Sequence, residues 1–281
     1  MSPESGLVTR LPSVSATRYV QPLREGGSLP AVVDTDGGLF VVKFRGAGQG
    51  AKALVAELLV GQIARVLELP VPELAIVHVP PPFGRSEPDP EIQDLLRQSH
   101  GVNIGLRYLD GAFNFDVRAA GEFVTAELAT RLVWLDAYVT NPDRTHRNPN
   151  LLIWQRTPWL IDHGAALYAH HDWASVDAER IGTPFPLIRD HVLLTRSEDL
   201  DAFDAIATAR LAAPVLREIV SEVPAELLAA GDPATPPDAA RERYVSYLVR
   251  RLQPPRRFIA EAIEARARAL REPPRPLGAR R

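Results

Sequence analysis

One stretch limits the possible folds more than any other. Residues 119 to 139 carry Phe123, Leu128, Leu132, Leu135 and Val139 on one helical stripe, and the stripe ends in the polar run Asn141-Pro142-Asp143-Arg144-Thr145-His146-Arg147-Asn148. Asn150-Leu151-Leu152 then opens a strand, and Trp159-Leu160-Ile161 completes a hairpin before Asp162-His163-Gly164. The chain must therefore hold a polar loop between a helix and a hairpin. Asp143, Asn148 and Asp162 stand at the two ends of that loop and just past the hairpin. Asn, Pro and Asp are ordinary turn residues, but turn chemistry requires no second Asp after the next hairpin.

Each of the three residues suits a separate task. Asp162, ionised at a strand end, offers oxygen to a hard cation such as Mg²⁺. Asn148 offers an amide oxygen to the same ion. Asp143 is placed to orient or deprotonate an acceptor hydroxyl. An Asp, an Asn five residues later and an Asp-x-Gly after one hairpin is the spacing of kinase catalytic and metal loops. Gly164 is expected to permit the sharp turn. His163 is expected to pack or to bond within the loop. Arg144 would orient the loop or neutralise phosphate charge. His146 would touch phosphate or acceptor, or bond within the loop. Asp136, in the helix before the loop, would brace it or cap the cleft.

The preceding third of the chain reads as β structure with one helix. Strands are expected at Thr17-Arg18-Tyr19-Val20, at Ala31-Val32-Val33, and, after Asp36-Gly37-Gly38, at Leu39-Phe40-Val41-Val42-Lys43-Phe44. Residues 51 to 69 form a helix stopped by Pro70, and Ala75 to Val79 is a further strand. Lys43 ends its strand where an ammonium can enter a cleft and meet the α- and β-phosphates of ATP; it can equally be an edge lysine. Glu57, fourteen residues on in the helix, is the natural partner, with Glu68 a competitor beside Pro70. Gly26-Gly27-Ser28 either closes over phosphates with free N–H groups or is a plain hairpin turn. Adenine would lie against Arg107-Tyr108-Leu109.

The remaining segments have less character. Residues 80 to 100 are Pro-rich and charged and read as an exposed excursion. After residue 195 the chain reads as helices with two breaks, at Gly231 to Pro237 and at Pro254-Pro255. His170-His171-Asp172 lacks a fixed third ligand, and adjacent His side chains rarely converge on one ion, so zinc is not expected. Ser175 and Thr183 follow Asp162 and are candidate sites of autophosphorylation.

Composition removes several classes. With 32 basic and 35 acidic residues the formal charge is −3, so no global basic field points to nucleic acid or an anionic membrane. The absence of cysteine excludes disulfides and thiolate metal sites and makes a reducing cytoplasm the simple reading. No apolar run approaches the ~20 residues of a membrane span, and no signal-peptide pattern is seen at the N-terminus. Abundant Ala, Arg and Pro with only two Lys look like a GC-rich bacterial genome.

Val41-Val42-Lys43, the helix Glu57, Asn141-Pro142-Asp143-Arg144 to Asn148, and Ile161-Asp162-His163-Gly164-Ala165-Ala166-Leu167-Tyr168 resemble the HipA-like kinases over about residues 15 to 250. The stretch through His170-His171-Asp172-Trp173 is most similar to a small HipA-like domain group, and more distantly to phosphatidylinositol 3- and 4-kinases. The resemblance implies an α+β, bilobal protein-kinase-like fold. Residues 1–14 would be a flexible N-terminus, 15–110 a β-rich N-lobe with one helix, 111–270 a mainly helical C-lobe, and 271–281 a disordered tail. It implies a cytoplasmic ATP- and Mg²⁺-dependent phosphotransferase acting on a serine/threonine-type hydroxyl of a protein or small-molecule acceptor. An antitoxin-like partner is compatible with it, and no direct nucleic-acid contact or membrane span is expected. Asn141-Pro142 stands where protein kinases have His-Arg, and there is no clear counterpart of the N-terminal subdomain of full-length HipA toxins. Three alternatives stay open: a nucleotide-binding pseudokinase, an AMP transferase on the same fold, and a small-molecule or lipid kinase.

Overall fold

Val32, Val33, Phe40 and Val42 are fully or almost fully enclosed, and they lie on two strands that the Asp36-Gly37 turn folds together. These are β2 (Ala31–Thr35) and β3 (Gly38–Lys43), following β1 (Ser13–Pro22). Gly38 enters β3 at φ +102, a conformation glycine takes without steric cost. A computed structural model describes residues 8–23, 29–85 and 87–272. The Gly26-Gly27-Ser28 turn lies outside the described residues, as do residues 1–7 and 273–281.

The helix α1 (Gly50–Val66) and the strand β4 (Leu74–Val79) come next, then α2 (Pro90–Gln98) and β5 (Gly101–Arg107). The strands close into a barrel in the order β1-β2-β3-β5-β4, with β1 and β4 parallel and the other pairs antiparallel. In this register Lys43 faces Ile104 and Phe40 faces Arg107. Nearly every residue of α1 is buried, including Glu57.

The segment from 80 to 100 is not an exposed excursion. Asp89 accepts from the N–H groups of Glu91 and Ile92, Pro90 starts α2, and Ile92 and Leu96 enter the barrel's apolar cluster beside Phe44, Val77 and Phe83. The charged residues hid a short amphipathic helix that buries only two side chains fully, with Leu95 packed beside them.

Beyond the barrel, the strand β6 (Phe113–Asn114) and the turn-length helix α3 (Val117–Ala120) precede α4 (Ala126–Tyr138). Residues 110–118 thus hold a strand, and the helix expected over 119–139 is broken before Thr125, whose hydroxyl caps α4 by accepting from Leu128 N–H. The hairpin β7 (Leu151–Trp154) and β8 (Thr157–Leu160) turns at Gln155-Arg156, both at positive φ, as a two-residue primed turn demands. The order β6-β7-β8 makes a second sheet.

Residues 163–199 run through short 3-10 turns and α5 (Ala178–Ile181). The helices α6 (Leu200–Arg210), α7 (Ala213–Ser221), α8 (Ala225–Gly231), α9 (Pro237–Arg251) and α10 (Arg257–Arg271) complete the fold. The two expected breaks are present, and two more occur before Pro214 and at Pro224, where helix-compatible side chains concealed them. A large apolar cluster joins α1 to α4 and to α6–α10 around Trp134, Tyr138, Phe203 and Phe258, and a smaller one fills the barrel.

Candidate active site

Lys43 reaches the cleft because its strand is enclosed up to its last residue. The ammonium is almost wholly buried and bonds Glu57 Oε2 at 2.7 Å and Asp162 Oδ1 at 2.6 Å. Burial pushes the Lys43 pKa down, but the two carboxylates outweigh it and the net shift is upward. For Asp162 burial acts upward, and the Lys43 charge and hydrogen bond turn the net shift downward. Both groups stay charged at neutral pH. Glu68 is not the partner: it lies exposed against Arg131 and Arg210.

Asp162 takes φ +55, a left-handed conformation that Asp tolerates better than most residues. The turn expected at Gly164 is present, closed by the Ala166 N–H on the His163 carbonyl at 3.0 Å, with Asp162 just before it. Gly164 is not left-handed, and a Cβ there would meet Gln49 and Ala53 at ordinary contact distance.

A second group forms around Asp143. Its Oδ2 accepts from Asn148 Nδ2 at 2.9 Å and from Asn150 Nδ2 at 3.2 Å, while its own N–H donates to Asn141 Oδ1 at 3.1 Å. Asn148 donates with its amide nitrogen, so its amide oxygen is the end left for a cation. Asn150, at φ +48, is a further loop residue that the spacing argument passed over. The signal was in plain view as the second Asn of Asn148-Pro149-Asn150, since Asn favours left-handed positions.

Arg144 stitches the two groups together. Its side chain has no exposure and pairs with equally buried Asp136, Nε to Oδ2 at 2.6 Å. It also donates to the Asn150 and Ile161 carbonyls and to His163 Nδ1 at 3.2 Å. So enclosed, Arg144 orients the loop and does not reach a phosphate. Asp136 also accepts from Asn141 Nδ2 at 3.0 Å and from His191 Nε2 at 3.0 Å. Burial drives its pKa up, yet Arg144 and His191 hold the carboxyl well below the usual range. His191 lies 55 residues away and carried no sequence signal.

The other expected residues fall elsewhere. Arg107 lies over the Phe40 ring and donates to Glu73 and to the Gly37 carbonyl, so its guanidinium is committed. Tyr108 N–H bonds Leu39 O and Leu109 O accepts from Ala112 N–H, which leaves this segment fixed to β3 at its start and in a turn at its end. Arg107 is three residues along β5 from Ile104, which faces Lys43, a span of about 10 Å. His146 is exposed. His170 is buried and bonds the Tyr244 hydroxyl at 3.1 Å. Ser175 bonds the Asp172 carbonyl and Arg180, and Thr183 is exposed.

Among the described residues no group of three or more His, Cys, Asp or Glu could hold a metal ion. One carboxylate and one amide oxygen instead fit Mg²⁺, which keeps waters and takes its other ligands from phosphates. Beside the loop lies a cleft of about 460 Å³, lined by Pro142, Tyr168, Phe185 and Leu187 with Arg180 at its edge. No helix among the described residues is long and apolar enough to cross a membrane.

A family model described as "HipA-like kinase" matches residues 20–254. A comparison with curated protein sequences finds no match. Among solved structures, the fold is similar to that of the Helicobacter pylori proinflammatory kinase CtkA, with a TM-score of 0.51 at 12% sequence identity, covering 94% of this chain and 100% of that one.

Proposed function

The chain belongs to the HipA-like kinase family, and from that premise we propose that this kinase-type phosphotransferase moves the γ-phosphate of Mg²⁺-ATP to a serine/threonine-type hydroxyl. The observation that carries the reading is the buried Lys43, held between Glu57 and Asp162, with the Asp143–Asn148 loop tied to the residues on either side of Asp162 through Arg144. The plan is bilobal: residues 15–110 make the N-lobe and 111–270 the C-lobe, with the nucleotide between them and adenine against Tyr108-Leu109. Lys43 binds the α- and β-phosphates, and Glu57 keeps it aimed. Asn148 and Asp162 would hold Mg²⁺, which would neutralise phosphate charge there.

The acceptor hydroxyl enters past Pro142. Its oxygen bonds the γ-phosphorus as the bond from that phosphorus to the bridging oxygen breaks, ADP leaves with the electron pair, and the hydroxyl proton passes to Asp143. Positioning and charge stabilisation supply most of the rate. The neutral overall charge and the lack of a membrane-crossing helix among the described residues support a cytoplasmic enzyme with a protein or small-molecule acceptor.

The test is product analysis with Mg²⁺-ATP, recording the intact mass, beside Asp162→Ala. ADP with a phosphate-sized mass gain on protein or acceptor, lowered by about 10³-fold in the variant, is the expected result. AMP-sized transfer with pyrophosphate would replace phosphate transfer by AMP transfer. ATP bound but never consumed, across protein and small-molecule acceptors, would make the chain a pseudokinase.

A further inference from the structure

His163 makes bonds in two directions that the chemistry above does not use. Its main-chain N–H donates to Glu57 Oε2 at 2.7 Å, the same oxygen that holds Lys43. Its ring Nδ1 lies 3.2 Å from Arg144 Nη2. Arginine only donates, so Nδ1 must accept and the ring proton must sit on Nε2. The ring is completely enclosed, and its Nδ1 lone pair faces the Arg144 guanidinium.

A polar chain therefore runs from Lys43 through Glu57, His163 and Arg144 to Asp136 and His191. Its first members belong to β3 and α1, Arg144 belongs to the loop that carries Asp143, and Asp136 and His191 anchor that arginine from α4 and from the segment after Asp190. Two atoms along it are buried and unpartnered, the acceptor Glu57 Oε1 and the donor His163 Nε2. They sit on the two residues that the main-chain bond already joins, and Glu57 is the strongest charge acting on the ring.

We propose that His163 is a positioning residue that couples the nucleotide side of the cleft to the acceptor side, its Nδ1 acting on the Asp143 loop through Arg144. The proposal rests on the phosphotransferase reading. Phe at this position would fill similar volume but offer no acceptor. Asn carries an amide atom near the place of Nδ1 and can supply one. Gln would move the acceptor one carbon further out.

The experiment uses the full chain with Mg²⁺ and a non-hydrolysable ATP analogue. It measures the analogue's Kd and amide exchange in the peptide covering 141–150, for wild type, His163→Phe, His163→Asn and His163→Gln, together with kcat. In the wild type the analogue is expected to slow exchange of that peptide about threefold or more. His163→Phe should bind the analogue within about threefold of the wild-type Kd yet lose the protection, with kcat down about tenfold or more. His163→Asn should recover at least half of both, and His163→Gln should not. If His163→Phe does not fold, the Asn and Gln variants carry the comparison alone. Protection kept in every variant overturns the proposal, as do equal losses in all of them, which would mean a packing role. A wild type that binds the analogue without protecting 141–150 overturns the coupling and leaves the kinase reading standing. A wild type that binds no nucleotide overturns both.

Discussion

Arg144 carries a full charge into a place with no side-chain exposure, and Asp136, equally enclosed, answers it. Such a pair adds little net stability over an apolar one, but breaking it strands a charge. Asp136→Ala should therefore cost about 3–5 kcal/mol, read as a lower urea midpoint at unchanged slope. Activity should fall with it, because Arg144 holds the Asn150 and Ile161 carbonyls on either side of the hairpin. Thr140 gives a contrasting case. It is β-branched, sits at φ +54 just before the loop, and its buried hydroxyl has no partner. Left-handed β-branched residues are strained. Thr140→Gly should raise stability by about 1 kcal/mol, net of the entropy glycine adds to the unfolded chain; an unchanged or lower melting temperature would contradict this. At this scale the candidates Lys43, Asp143, Asn148 and Asp162 were legible because the roles proposed for them depend on residue type and spacing along the chain. The Glu57 pairing was legible too, since the competing Glu68 lies about three turns further on, past the end of α1. The burial of Arg144 and the role of His191 were not, because both depend on which segments pack together.

α1 shows how an element can belong to two neighbours. It follows the barrel strands in sequence and holds Lys43 through Glu57, yet its apolar side chains sit in the cluster shared with α4 and α6–α10. Hydrophobic spacing identified the helix but could not say which core it fills, since a helix apolar on nearly every side has no single face to read. The reverse error occurred at α2, where charge and proline hid two core residues. Leu96 is fully buried, and Gly84, at φ +78, packs so closely on it that an added Cβ would meet Leu96 Cδ1 at 2.4 Å. Leu96→Ala should cost about 2–4 kcal/mol, whereas Glu91→Ala, on the exposed side, should stay within about 0.5 kcal/mol in the same denaturation series. Equal, small effects would return α2 to the status of a surface excursion. The strand positions were legible because β-branched and aromatic residues alternate between turns. The helix breaks at Pro214 and Pro224 were missed because proline in the first turn of one helix is indistinguishable in sequence from a loop within a longer helical region.

Across the whole molecule, three buried histidines set how the fold answers to acid. His163 and His170 are pushed by burial down to about 4 and about 3, and His191 is lowered too, its burial outweighing the attraction of Asp136. They lie in different parts of the helical region: His163 against α1, His170 against Tyr244 of α9, His191 against Asp136 of α4. In the unfolded chain each titrates near 6.5. Between those values the unfolded state binds more protons than the folded one, so stability must rise with pH and fall as pH drops from about 6.5 toward 4. Asp136 acts in a lower window. Its folded pKa is depressed, so its contribution is present above the usual carboxylate value and is lost only on further acidification. Lys43 acts at the far end, its contribution present below the ordinary lysine value and lost only as pH rises through its raised folded pKa. Each histidine supplies a slope of at most about 1.4 kcal/mol per pH unit, His163 and His170 together about 3 kcal/mol per unit across the middle of their window, and His191 adds in the same direction. Urea unfolding at pH 7.5, 6.0 and 5.0 should thus show a steep loss of stability before any carboxylate titrates. His170→Phe should remove about one proton's share of that slope while leaving the chemistry of the Lys43–Asp162 cleft in place. A curve flat between pH 7 and 5 would mean that the three rings are open to water, and with it the buried chain through His163 and Arg144 would lose its physical basis.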